Sequence, residues 1–213
     1  LSSSTLFATS MTMANTKFSA PQMAQIQLSA LTFKDVMRQF YNGQMSRAFV
    51  QDEEISKMLH IALGQVDKDG ETTVALMHPI MSYSNSSGEP RYLVIIEKIK
   101  VSSEGNLVSC HACAATADLY SFKELQNGHF QLVSRSPKDA EFSASWGRVG
   151  LDVEEISKNM QPLGKNLVGS LFQNGYTSTG VTETWWEALH LPEDDFINTY
   201  GVADAGSDNS SSY

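Results

Sequence analysis

The sequence has no apolar run of the 18 or so residues that a membrane-crossing helix needs. Its longest, Leu93 to Ile96, is the size of a buried strand segment. Positive charge is scarce: 15 Lys and Arg stand against 24 Asp and Glu, a formal net charge of −9. That balance works against binding nucleic acid or an anionic lipid surface, and no local block of Lys or Arg reverses it. Complete catalytic motifs are missing too. "GYTSTG" at 175–180 has the letters of a nucleophile elbow at the wrong spacing, and no S-x-x-K occurs, so Ser178 reads as a strand residue. "DKDG" at 67–70 begins like a calcium loop, but it lacks a third oxygen ligand and position 76 is Leu rather than Glu, so it reads as a turn. The acidic run "PEDDF" at 192–196 reads as a solvated helix start after Pro192.

What is present is enough to fold. Apolar residues make up 41% of the 213 and charged residues 18%, which supports a real core in one sizeable domain. Residues 1–30 are rich in Ser, Thr, Met and Gln, and read as an arm. In "TFKDVMRQFYNG", Phe33, Val36, Met37 and Phe40 fall on one helical face, with Thr32 as cap. The same spacing in "QDEEISKMLHIALG" (Ile55, Met58, Leu59, Ala62) predicts a second helix, capped by Asp52 and ended by Gly64.

From there the pattern is β. "RYLVIIEKIKV" is apolar on both faces through Ile96, as a central strand requires. Asn127-Gly128 and Asn174-Gly175 each predict a hairpin turn. "DVEEISKNM" has a weak helical period, and residues 201–213 form a small polar tail. The predicted architecture is therefore α+β: two N-terminal helices packed on a largely antiparallel sheet with Asn-Gly hairpins, in a single domain over residues 31–200.

Both cysteines lie in "VSCHACAATADLYSF", as Cys110 and Cys113 with His111 between them. Haem attachment is excluded, because Ala114 stands where C-x-x-C-H needs its histidine. A zinc site would require Cys110, Cys113 and His129 to meet across the hairpin, with no fourth ligand evident. A thioredoxin-like redox pair, with Cys110 as nucleophile tuned by His111, needs a helix to start at the motif, and "LYSF" is β-like. The reading favoured is a local disulfide across a turn. No cofactor, metal or catalytic residue is assigned.

"CHACA", followed by aromatic strands, "WGRVG" and "PLGKNLVGSLFQNGYTSTG", resembles a group of uncharacterised exported bacterial proteins that carry Cys-His-Ala-Cys ahead of a β-meander. The resemblance spans about residues 107–186. It implies export and a β-rich C-terminal part, and it implies no activity.

Abundant Ser, Thr and Asn and a low charge content also favour a secreted or periplasmic protein, with "LSSSTLFATSMTMANT" as the start of a mature chain or an arbitrary boundary. "NSS" at Asn85 and Asn209 matches the glycosylation pattern but is easily chance in a Ser-rich chain. Trp185 and Trp186, as strand neighbours, face opposite ways. The reading favoured is that both are packed under a helix or loop; an exposed Trp beside Trp146 and Tyr176 would instead make an anchor for a small molecule or a protein partner. The expectation is a non-enzymatic binding or structural module, with thiol redox chemistry and a hydrolase of scattered residues as the alternatives.

Overall fold

The computed structural model describes residues 17–138, 140–178 and 180–208; the first part of the predicted arm, Asn209 and the end of the polar tail lie outside them. In chain order the elements are α1 (Ala20–Ala24), β1 (Gln27–Leu28), α2 (Phe33–Phe40), β2 (Met45–Ser46), α3 (Glu53–Ser56), β3 (Leu59–Leu63), β4 (Thr72–Met77), β5 (Met81–Ser84), β6 (Pro90–Val101), β7 (Thr116–Glu124), β8 (Phe130–Arg135), β9 (Ala144–Ser145), β10 (Arg148–Val149), α4 (Val153–Lys158), β11 (Met160–Gly164), β12 (Leu167–Ser178), β13 (Val181–Leu191) and β14 (Asn198–Asp208).

This corrects the α+β expectation: the protein is mostly β, and its helices are four short segments rather than a layer of two. A large antiparallel sheet runs β1-β8-β7-β6-β4-β3-β2, with β5 also paired to β6. A second, four-stranded sheet runs β11-β12-β13-β14, and β9 and β10 form a small hairpin.

The helix over 33–40 forms as its spacing predicts. The hydroxyl of Thr32 accepts the N–H of Asp35 at 3.1 Å, and Val36 and Met37 are buried. The second helix does not extend as predicted. Asp52 caps only the four residues of α3, accepting the N–H groups of Glu54 and Ile55. Leu59–Leu63 then pairs along β4, from Leu59 opposite Met77 to Leu63 opposite Thr73. A short segment gains little from helix formation alone, so a ready strand partner decides its conformation. Within the described part of the predicted arm, Ser19 caps α1, which leads into β1 at the edge of β8.

The strand β6 is the spine. Leu93, Ile95, Ile99 and Val101 enter one apolar cluster, while Val94 and Ile96 enter a second on the opposite face. The first cluster is closed by the small sheet, through Val168, Phe172, Leu189 and Leu191. The second is closed by α2, through Val36 and Met37. The end of α2 is tied down where the hydroxyl of Tyr41 donates to Asp118 Oδ2 at 2.5 Å, beside Lys98 at 3.0 Å from the same oxygen.

One Asn-Gly turn forms and one does not. Gly128 takes φ 80 between β7 and β8, with Phe122 opposite Leu132. Asn174 and Gly175 instead lie inside β12, opposite Trp185 and Thr184, and the chain reverses between Ser178 and Val181, where Gly180 has φ 81. The Asn174 side chain is spent elsewhere. Its Nδ2 donates to Gly150 O at 3.2 Å and to Glu187 Oε2 at 3.3 Å, while its Oδ1 accepts the Gly175 N–H. Residues 192–197 form a bend rather than a helix start: Glu193 pairs with the buried Arg91, and Ile197 N–H donates to Arg135 O at 2.9 Å. The strand β14 then takes in 201–208 of the predicted tail.

Candidate functional site

The Cys110–Cys113 pair lies in a turn ahead of β7. The sulfurs are 2.21 Å apart and the Cα atoms 4.9 Å, and Cys113 N–H donates to Cys110 O at 3.0 Å. The element that follows is the strand starting at Thr116, not a helix, so no helix dipole acts on either sulfur. His129 sits past the far end of β7, the length of that nine-residue strand from the cysteines, which separates the three ligands considered for zinc.

The ring is small, so its contribution is modest. Loop-closure entropy gives about 2 kcal/mol for a ring of this size. The double variant Cys110→Ser/Cys113→Ser is expected to lower the melting temperature by roughly 4–8 °C, with the sheets intact. Calorimetry with far-ultraviolet circular dichroism checks this, and loss of all β signal in the variant would refute it.

The turn presents His111 to two aromatic rings. Its ring centroid is 4.0 Å from that of Trp146 and 6.4 Å from that of Tyr176. Trp146 occupies the tip of the β9–β10 hairpin, is 45% exposed, and has φ 55, the sole positive φ outside glycine among the described residues. A two-residue turn with both central φ positive favours Asn-Gly. A tryptophan in that position costs roughly 1–2 kcal/mol of backbone strain.

The hairpin is held at both bases. On one side Ser143 Oγ donates to the buried Glu187 of β13, and Gly150 N–H donates to Ser143 O at 2.7 Å. On the other, Arg148 Nε donates to Glu97 Oε1 at 2.9 Å and Nη2 to Oε2 at 3.2 Å, while Val149 N–H reaches Oε1 at 2.9 Å. His78 Nε2 completes the set at 2.8 Å from Glu97 Oε2. Glu97 is fully buried on β6. Burial pushes its pKa up, but the hydrogen bonds from His78 and Arg148 outweigh this and hold it below the ordinary glutamate value. The tip is pinned as well, since Gly147 N–H donates to Cys113 O at 3.0 Å.

Tyr176 of β12 and Trp185 of β13 share the face of the small sheet that turns toward this hairpin, because Asn174 opposes Trp185 and Tyr176 opposes Glu183. Trp185 Nε1 donates to Glu187 Oε1 at 2.8 Å, which fixes its indole. Trp186 points from the opposite face and is 42% exposed. Of the residues singled out by sequence, His111, Trp146 and Tyr176 are brought together, Trp185 adjoins them on the same face, and Trp186 is apart.

Beside the hairpin runs an open cleft of about 620 Å³, with Glu54, His78, Arg148, Glu154, Glu155 and Asn174 among its walls. No Ser, Thr, Tyr or Cys is among the described residues that line it; its titratable side chains are carboxylates, His78 and Arg148. Glu97, Arg148, Ser143 and Glu187 were not anticipated from sequence. A weak signal for Glu97 existed: it follows directly on the doubly apolar run that ends at Ile96, within the same predicted strand.

No family model, no curated protein and no solved structure matches this chain. Among the described residues no helix is long and apolar enough to cross a membrane.

Proposed function

We propose that this chain is a non-enzymatic binding module of a secreted or periplasmic bacterial protein, and that its ligand meets the ring surface of His111, Trp146 and Tyr176. The observation that carries the reading is Trp146: a large exposed side chain held in a left-handed backbone conformation at the tip of a hairpin braced at both bases. Strain of this kind is retained where the surrounding structure enforces it, and it clusters at ligand clamps. Rigid aromatic anchors lose little entropy on binding and dominate recognition surfaces. Two cysteines at disulfide distance suit an oxidising compartment.

The test is Trp146→Asn. Asparagine is preferred at this turn position, so relief of strain offsets the lost ring contact, and stability is expected to stay within about 1 kcal/mol of the parent. Ligands are sought by amide and indole N–H NMR with a panel of neutral saccharides, organic cations and short peptides. The expected result is a saturable shift at His111, Trp146 and Tyr176 that the variant loses. A ligand that is chemically converted, or one that binds Trp146→Asn as tightly as the parent, would overturn the reading.

A further inference from the structure

The same face carries a second feature, one strand further out. A cavity of about 380 Å³ lies over β13 and β14, lined by Glu183, Thr184, Trp185, Asp204, Gly206 and Ser207. Trp185 and Asp204 are direct cross-strand partners, and Glu183 lies two residues before Trp185 on the same face. Thus two carboxylates flank one indole. The indole N–H is occupied by Glu187, so what Trp185 can offer the cavity it lines is its ring. Neither Glu183 nor Asp204 has a hydrogen-bond or ion-pair partner for its carboxylate among the described residues, and no Lys, Arg or His lines the cavity.

We propose that this cavity binds an organic ammonium group, with the Trp185 ring face and the Glu183 and Asp204 carboxylates as its recognition elements. The proposal deepens the binding-module reading and rests on it. A cation over an indole is attracted by the negative ring face, and partial removal from water strengthens that attraction. Two carboxylates with no protein cation supply the charge that a neutral ligand would leave uncompensated. The formal charge of −9 draws cations toward the surface as a whole. A neutral sugar would use the ring but give the carboxylates no counter-charge. An anionic group would be repelled by them. A quaternary ammonium, as in a choline headgroup, and a primary one, as in a lysine side chain, share this chemistry at the ring.

The experiment uses the full chain and follows its three indole N–H resonances, assigned by single Trp→Phe variants. Tetramethylammonium chloride and n-butylammonium chloride are titrated separately, against sodium chloride at equal ionic strength. The expected result is a saturable shift of the Trp185 indole with one or both ammonium salts and none with sodium. The tighter of the two identifies the quaternary or the primary source. Glu183→Gln/Asp204→Asn changes two surface side chains without changing their shape, and should weaken binding roughly 3- to 30-fold. Trp185→Phe should weaken it as well. No saturable shift at Trp185 with either salt, or equal affinity in the double carboxamide variant, would overturn the proposal. If ammonium salts fail while a neutral ligand still saturates Trp146 and Tyr176, the cation inference falls and the binding surface stands. The ammonium shift at Trp185 should survive in Trp146→Asn, because Trp146 does not line the cavity; its loss there would place the ammonium at the Trp146 surface and overturn the cavity assignment.

Discussion

Glu97→Gln is expected to destabilise the protein by about 3 kcal/mol at pH 7, the lower end of what is lost when one partner of a buried ion pair is removed. Four groups converge on this carboxylate: His78, both donor nitrogens of Arg148, and the Val149 N–H. A carboxamide keeps the shape, but among the described residues it leaves Arg148 with only the exposed Glu54 as a counter-charge, at 3.3 Å. It also presents N–H groups where donors already point. The damage should be largest in the β9–β10 hairpin, because Arg148 and Val149 are the bolts that hold it on β6.

The effect should depend on pH in a definite direction. Glu97 titrates below the ordinary glutamate value of 4.5 in the folded protein. The folded state therefore keeps it charged at pH values where the unfolded chain has taken up a proton. Its stabilising contribution is complete above the ordinary value and is lost as pH falls through the lower folded value. The gap between parent and Glu97→Gln should thus be widest near neutrality and close as pH drops through and below the ordinary carboxylate range. Urea unfolding at pH 7, 5 and 3 measures it. A gap that stays constant across the three would show that packing, not charge, is what Glu97 supplies.

Gly147→Ala is the second large effect. Gly147 follows Trp146 at the hairpin tip with φ 76, where any L side chain is strained. A Cβ there would also lie 2.3 Å from Val108 O, a backbone atom with no rotamer to yield. Alanine must therefore separate the tip from the chain leading into the Cys110–Cys113 turn, breaking the bond from Gly147 N–H to Cys113 O. The expected cost is about 3 kcal/mol or more, with strain and overlap adding. Gly128→Ala is the control. Gly128 has φ 80 but nothing within 4 Å of the position of a Cβ, so it reports strain alone, roughly 1–2 kcal/mol. Denaturant midpoints of the two variants give the difference directly. Equal losses would mean that the close approach to Val108 carries no weight. A specific loss at Gly147 should also broaden the His111 and Trp146 resonances, since the two rings meet only while the tip and the turn stay in register.

The sequence by itself determined what neighbouring residues decide between themselves. The Thr32 and Asp52 caps, the turn at Gly128, the opposed faces of Trp185 and Trp186, and the small ring between Cys110 and Cys113 all depend on contacts a few residues apart. Those energies do not wait for the rest of the fold. Tertiary structure decided the cases where a local preference met a distant partner. Leu59–Leu63 carries a helical spacing, yet β4 offers it a continuous ladder of backbone hydrogen bonds that a four-residue helix cannot match. Asn174-Gly175 carries a turn signal, yet cross-strand pairing continues on both sides and the amide of Asn174 finds Gly150 and Glu187 instead. The α+β expectation failed for the same reason, because two local helical signals were summed without the sheet that competes for one of them. The site is wholly of this second kind. His111, Trp146 and Tyr176 come from three separate segments, and what places Trp146 among them is a hairpin anchored to Glu97 on one sheet and Glu187 on the other. No spacing in the chain encodes that pair of anchors, because each is worth having only after both sheets have formed and excluded water from between them.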